Sequence, residues 1–314
     1  MKILVTGGCG YIGQHVVEAC YQARHIIHVV DRTVTKSSAI AEVEVYHADI
    51  GKSVFVPKTY DVVVHLAADI SVAESVRDPK TYYENNVVAS IRLLDMCRSG
   101  GVKKVVFASS AAVYGPNDGT PIDEEQTRQP SNPYAASKLV LEWALADYAR
   151  AYGIQVIPLR LFNVAGGEFR EDHEPETHLI PNLVDGALYG RPVIVHRSPR
   201  YEVAGLETCE RDYVNVRDVA RAFLAAVEGS IDLQPGEAIN IGSGVATSTR
   251  EVITAVEKAT QRKLNVRMAT ARPGDVATLC ADISKARAVL GWIPQHSSLE
   301  EIVRDTIKTR SPTA

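Results

Sequence analysis

Residues 2–13 read Lys2-Ile3-Leu4-Val5-Thr6-Gly7-Gly8-Cys9-Gly10-Tyr11-Ile12-Gly13. An aliphatic run, residues 3–6, meets a glycine cluster, with glycines at 7, 10 and 13. A helix-compatible run follows over residues 14–23, then a second apolar run over 26–30 that ends at Asp31. The order is strand, tight turn, helix, strand, acid. Gly7 and Gly10 lack a Cβ, so the backbone can turn sharply and come close to a ligand. The helix after them aims free N–H groups and partial positive charge at an anion. Gly13 lets that helix pack closely on the strand. Asp31 can accept hydrogen bonds from both ribose hydroxyls of an adenosine, and it repels a 2′-phosphate. The stretch therefore reads as a dinucleotide site that favours NAD over NADP, with Arg32 working against that preference. A glycine-rich turn without a ligand is the bland alternative. Against it stand the strand before, the helix after and an acid about 20 residues on.

Outward from this unit, strands and helices alternate. Residues 43–47, 61–68, 102–109 and 155–160 read as strands. Residue runs 80–99, opened by Pro79, and 134–152 read as helices. This alternation predicts an α/β fold, a Rossmann-type doubly wound parallel sheet, over residues 1–167. Residues 168–314 loosen into a smaller C-terminal α/β lobe. The two are interleaved, because a strand near 238–241 is expected to return to the main sheet.

In open α/β sheets, ligands bind beyond the carboxyl ends of the strands. That places the candidates. Gly7, Gly10, Tyr11, Ile12, Gly13 and Asp31 form the first part of the cofactor set. Asp49 and Ile50 end the third strand, where they can hold and cover an adenine ring; a plain surface Asp is the alternative. Leu66, Ala67 and Ala68 end the fourth, small enough for a pyrophosphate and ribose to pass. His65 beside them reads as a structural histidine. Asn86 lies among apolar neighbours, suited to hydrogen-bond a central loop. Ser109 and Ser110 end the fifth strand, and Phe162 is expected to pack near the nicotinamide rather than bind substrate.

Tyr134 and Lys138 are four apart on one helix and share a face. A nearby ammonium favours the phenolate, so the tyrosine pKa is expected to fall. Such a tyrosine can take a proton from an alcohol as hydride leaves its carbon. Ser110 can align the same oxygen, and Lys138 can also hold the nicotinamide ribose. The pair alone is weak; the order of glycine motif, serine and Tyr-x-x-x-Lys lifts it. Ser110, Tyr134 and Lys138 are the catalytic candidates.

The Gly-x-x-Gly-x-x-Gly spacing resembles the extended branch of the short-chain dehydrogenase/reductase superfamily. Residues 1–13, 109–115, 132–138, 160–166, 177–181, 211–214 and 272–275 together resemble the UDP-glucose 4-epimerase family, over almost the whole chain. The resemblance implies tightly bound NAD and transient oxidation of a UDP-hexose to a 4-keto sugar. The sugar then turns, and hydride returns to its other face. It also implies that Ser110, Tyr134, Asn163, His178, Leu179, Arg211, Arg272 and Asp275 contact the substrate. Two arginines suit a diphosphate; surface ion pairing is the alternative for each. Related dehydratases and decarboxylases carry carboxylates before the Val-Tyr-Gly segment. Here those positions are Ala111 and Ala112, which cannot move a proton. The chain departs from the family at Leu161, where a tyrosine is common, and at His178, where many members have Asn. Asp69-Ile70 stands where some epimerases carry a lysine near the cofactor, so looser NAD retention is expected. The link after Asp31 is short, residues 197–210 match poorly, and Leu279 is of intermediate size for a sugar pocket.

The 314 residues suffice for one large or two modest domains. A net charge of −4 gives no basic face, which argues against nucleic acid. Five scattered cysteines, Cys9, Cys20, Cys97, Cys209 and Cys280, suggest reduced thiols in a cytoplasm, with no disulfide frame and no metal site. Neither a secretory leader nor a membrane span is expected. The helices over 80–99 and 134–152 resemble the family's dimer-forming pair, so a homodimer is expected. The competing readings are a net NAD(P)-dependent dehydrogenase or reductase, a 4-epimerase of N-acetylhexosamine or uronic-acid nucleotides, and a cofactor-binding sensor without catalysis.

Overall fold

A computed structural model describes residues 1–33, 43–52, 60–116, 121–169, 178–199, 207–271 and 276–311. In chain order its strands are β1 (Lys2–Thr6), β2 (Ile26–Asp31), β3 (Glu44–His47), β4 (Val62–His65), β5 (Lys104–Ser110), β6 (Gln155–Leu161), β7 (Asn163–Ala165), β8 (Val193–His196), β9 (Glu210–Asn215), β10 (Ile239–Ile241), β11 (Ala246–Ser248), β12 (Val266–Ala269) and β13 (Thr278–Leu279). The first helices are α1 (Tyr11–Gln22), α2 (Val72–Arg77), α3 (Pro79–Tyr82), α4 (Ala89–Gly100), α5 (Pro133–Tyr152) and α6 (Leu179–Tyr189).

Seven parallel strands form the main sheet in the order β10-β6-β5-β4-β1-β2-β3. Ile239–Ile241 is the strand that comes back from the C-terminal half, paired with Leu159–Leu161. Side-chain alternation along each strand builds two cores. Ile3 and Val5 of β1 face one side, where Val16 and Val17 of α1 and Val219 and Phe223 of the helix Val216–Glu228 cover them. Leu4 faces the other side, with Leu93 and Leu94 of α4 and Leu141 and Leu145 of α5. A strand buried on both faces has to be apolar throughout, which is why β4 reads Val-Val-Val before His65. From β1 the chain steps outward to β2 and β3, then returns to place β4 on the other side of β1. The crevice between the ends of β1 and β4 is thus a topological switch point, where ligands bind in this architecture.

The C-terminal lobe has small sheets. Strand β9 pairs with β7, β11 and β13, while β8 pairs with β12. Its core joins α6 to the helices Thr249–Thr260 and Leu299–Arg310 through Leu183, Val184, Val252, Val256, Ile302 and Val303.

Three expectations shift. The long helix over 80–99 is broken into α3, a π-helical segment Tyr83–Val88 and α4. A π turn relaxes the backbone where side chains must reach a functional loop; here Asn85 and Asn86 both bond Asp69. The fourth strand ends at His65, because its neighbour β1 ends at Thr6 and the Leu66 N–H makes the last contact, 3.0 Å to Thr6 O. The short strands β8, β11 and β13 carry too few residues for a clear alternating pattern, whereas β12 falls within the strand expected at Asn265–Ala269. Most of the short link after Asp31 lies outside the described residues.

Candidate active site

The glycine loop separates structural from ligand demands. Gly7 has φ +73°, and a Cβ there would sit 2.6 Å from the Ala67 nitrogen. At Gly13 a Cβ would meet Gly7 O at 2.1 Å, so these two glycines let α1 and the end of β4 close on the loop. Gly10 differs. Its φ of −73° suits any residue, and a Cβ would approach only Gly7 O, at 3.4 Å. It is the N-cap of α1, and no side chain caps that helix. Open space beside an uncapped helix N-terminus fits a pyrophosphate. Asp31 Oδ2 accepts from the Cys9 N–H at 3.0 Å, and Oδ1 accepts from the Thr33 N–H at 3.0 Å, so the acid is fixed beside the loop with lone pairs to spare. Tyr11 and Ile12 open α1 half-buried, and the Tyr11 hydroxyl donates to Gly166 O at 2.6 Å. These residues fit NAD.

The remaining cofactor candidates gather at the same edge. Asp49 Oδ1 accepts from the Gly51 N–H at 2.8 Å, and Lys52 is 3.3 Å from Oδ2. Burial would raise the Asp49 pKa; the Gly51 N–H, Lys52 and Arg32 outweigh it and lower it. Ile50 packs on the core under β3. Leu66, Ala67 and Ala68 are half-buried beside the glycine loop. Asn86 is buried. Its Oδ1 accepts from the Asp69 N–H at 2.8 Å, and its Nδ2 donates to Asp69 O at 2.9 Å and to Ser137 Oγ at 3.0 Å.

Ser109 and Ser110 end β5, and Tyr134 and Lys138 occupy successive turns of α5. The Lys138 ammonium donates to Ala108 O at 2.9 Å and lies 5.9 Å from the centre of the Tyr134 ring. Burial pulls the Lys138 pKa down to about 8, and Glu142 opposes the shift. Burial also raises the Tyr134 pKa, against a smaller lowering by the Ser110 hydroxyl. The expected fall of the Tyr134 pKa is therefore reversed: the ammonium points at a backbone carbonyl, and desolvation of the phenolate dominates. Ser110 Oγ accepts from the Ala112 N–H at 3.2 Å, with Ala111 buried and Ala112 half-buried behind it. His65 bonds Thr6 and Ser90 at 2.7 and 2.8 Å, and burial pushes its pKa down to about 3, which fixes it as a neutral structural residue.

Beneath this face lies a polar network the sequence analysis did not single out. Arg160 donates to both oxygens of Glu142, at 3.0 and 2.8 Å, and to Tyr114 Oη at 2.8 Å. Ser109 Oγ donates to Glu142, and Tyr114 Oη donates to Asn240 Oδ1 at 2.6 Å. The available signal was a single acid among Leu139, Val140, Leu141 and Trp143, and a single arginine within the apolar run of β6.

Four of the expected substrate residues, Asn163, His178, Leu179 and Arg211, lie on elements that build the C-terminal lobe. Asn163 of β7 pairs across from Tyr213 of β9, and Arg211 of β9 from Leu279 of β13. The Arg211 guanidinium donates to Glu210 O at 2.8 Å and Ala277 O at 3.4 Å, and among the described residues no carboxylate pairs with it. His178 is the exposed N-cap of α6, and Leu179 its first residue. Phe162 is buried against Tyr114 and Leu139. Arg272 and Asp275 lie outside the described residues. Among the described residues no group of His, Cys, Asp and Glu could hold a metal ion, and no described helix is long and apolar enough to cross a membrane.

Residues 3–242 match the NAD dependent epimerase/dehydratase family. The chain is 39% identical to a UDP-glucose 4-epimerase of Streptococcus mutans, covering 96% of this chain and 95% of that one. It superposes with a TM-score of 0.88 on the Thermus thermophilus UDP-glucose 4-epimerase solved in complex with NAD, at 34% identity and full coverage of both chains. A Brucella ovis UDP-glucose 4-epimerase solved with NAD gives 0.88 at 37% identity, covering 98% of this chain and 97% of that one. A match of this extent in both sequence and fold places the chain in the NAD dependent epimerase/dehydratase family.

Proposed function

We propose that this protein is an enzyme that epimerises C4 of a UDP-hexose, UDP-glucose/UDP-galactose, with tightly bound NAD. The observation that carries the reading is local. Tyr134 and Lys138 share one face of α5 beside Ser110, and the adjoining positions are Ala111 and Ala112. The site can exchange a proton with a sugar hydroxyl, but it holds no carboxylate there for elimination.

NAD, when bound, would supply a reversible hydride acceptor for C4. The glycine loop, α1 and Asp31 would hold it, with Asp49, Ile50, Leu66, Ala67, Ala68, Asn86, Ser109 and Phe162 along the sheet edge. Tyr134 Oη takes the proton of the 4-hydroxyl and gives it back after the 4-keto sugar has turned. Ser110 donates a hydrogen bond to the same oxygen and keeps it in reach. Lys138, its ammonium engaged by Ala108 O, holds the nicotinamide ribose. The nucleotide is gripped while the sugar rotates, by Arg211 and Arg272 at the diphosphate and by Asn163, His178, Leu179 and Asp275 around it. In this division residues 1–167 serve the cofactor and 168–314 the substrate.

Two further statements belong to the same proposal. The protein acts in the cytoplasm, in keeping with five free cysteines. It works as a homodimer through the helical run over residues 80–99 and α5, where Tyr83, Val88 and Trp143 are exposed, Trp143 by 54%. Sedimentation at micromolar concentration distinguishes dimer from monomer.

The deciding experiment supplies UDP-galactose to the purified protein without added NAD. Formation of UDP-glucose with no net absorbance of reduced nicotinamide supports an epimerase that keeps its cofactor. Steady accumulation of NADH instead makes it a dehydrogenase.

A further inference from the structure

The geometry points to a cofactor latch: the Arg32–Asp69 ion pair closes over the bound dinucleotide and slows its release. The inference rests on the NAD reading of this crevice. In the sheet, β1 lies between β2 and β4. Arg32 directly follows β2, and Asp69 stands four residues beyond the end of β4. Their side chains meet all the same, Nη2 to Oδ1 at 2.7 Å. Strands two positions apart are separated by about 10 Å. The pair must therefore reach across the end of β1, where the glycine loop begins and the switch-point crevice opens. One lip carries Asp31 and the other Leu66, Ala67 and Ala68.

Both lips are anchored. Asn86 holds the main chain of Asp69 through its N–H and its carbonyl, and Asn85 donates to Asp69 Oδ2 at 2.6 Å. Asn86 also donates to Ser137, the neighbour of Lys138, which ties this lip to α5. On the other side, the Arg32 carbonyl bonds His47 Nε2 at 2.7 Å. The bridge between these fixed lips is the weak element. The two side chains are 50% and 24% exposed, so the pair can open into water without leaving a buried charge. Retention is supplied by closing the crevice from above, with Arg32 as the cation.

The test follows exchange of bound NAD for isotope-labelled NAD in the holoenzyme. Wild type is compared with Arg32→Gln, Asp69→Asn and the double variant. Exposed pairs of this kind predict exchange about two- to fivefold faster in each single variant, and no faster still in the double. High salt is expected to speed exchange in wild type towards the variants and to leave the variants unchanged, because an exposed pair is screened. Unchanged or slower exchange in the single variants, additive effects in the double, or wild-type exchange indifferent to salt overturns the latch. The salt arm needs no variant to fold. If wild type binds no NAD by absorbance or mass, the cofactor reading fails and the latch with it; if it binds NAD but the variants release it at the wild-type rate, only the latch fails.

Discussion

Arg160 of β6 and Glu142 of α5 form a two-pronged ion pair with side chains only 1% and 4% exposed, one layer beneath Ser109 and Lys138. Desolvation of two charges offsets much of their attraction, but losing one partner leaves the other buried and unpaired. Glu142→Ala is expected to destabilise the fold by about 3–5 kcal/mol. Replacing both, Arg160→Met with Glu142→Leu, should recover much of that loss. Urea unfolding of the two variants decides it: a double variant no more stable than the single would mean the pair itself contributes the stability.

Lys138 carries a stability cost of its own. Its pKa is near 8 in the fold, against 10.5 for an ordinary lysine. Between those values the unfolded chain binds more protons, so stability rises with pH; below pH 8 the burial penalty is present in full. A difference of that size corresponds to about 3 kcal/mol. Lys138→Met gives up the bond to Ala108 O, so a gain of about 1–3 kcal/mol at pH 7 is expected, together with loss of activity. Glu142 keeps Arg160 as its partner in the variant. Thermal melts at pH 7 and pH 10 check the sign: the advantage should shrink at the higher pH as wild type sheds its proton.

The main sheet was readable because its signals are local and periodic: apolar runs of four to seven residues, and glycines at fixed spacing between strand and helix. That Tyr134 and Lys138 share a face of α5 was readable because i and i+4 on a helix meet whatever packs around it. What escaped depends on contacts distant in sequence. Glu142 meets Arg160 only after α5 packs on β6. Asp69 finds Arg32 only because β4 returns beside β1. The direction of the Tyr134 pKa was misjudged for a related reason: a pair of residues suggests a charge effect, while burial by the rest of the fold decides the balance.

Gly10 and Gly13 should fail in opposite ways when changed to alanine. At Gly13 the new methyl would overlap the Gly7 carbonyl and the Gly8 backbone, atoms that cannot swing aside. A loss of at least about 1–3 kcal/mol is expected from overpacking. At Gly10 only the weaker N-cap preference of alanine counts, about 1 kcal/mol or less. Gly10→Ala should instead weaken NAD binding, by about tenfold or more, since the methyl projects into the space that fits the pyrophosphate. Melts without nucleotide and NAD titrations separate the two; equal stability losses would remove the argument that Gly10 is kept for a ligand.

Tyr134→Phe and Ser110→Ala test the proton path by different readouts. Removing the phenolic oxygen should lower kcat by about 10²–10⁴, with bound NAD unchanged. Removing the serine should cost less, about 10², and should also move the pH profile. Burial raises the Tyr134 pKa and the Ser110 hydroxyl lowers it, so without Ser110 the phenolate needs a higher pH to form. The rising limb of kcat/KM against pH is expected to shift towards alkali in Ser110→Ala. A flat loss at all pH values would mean that Ser110 only orients the sugar. A phenylalanine variant retaining more than a tenth of the wild-type rate would take the proton transfer away from Tyr134 altogether.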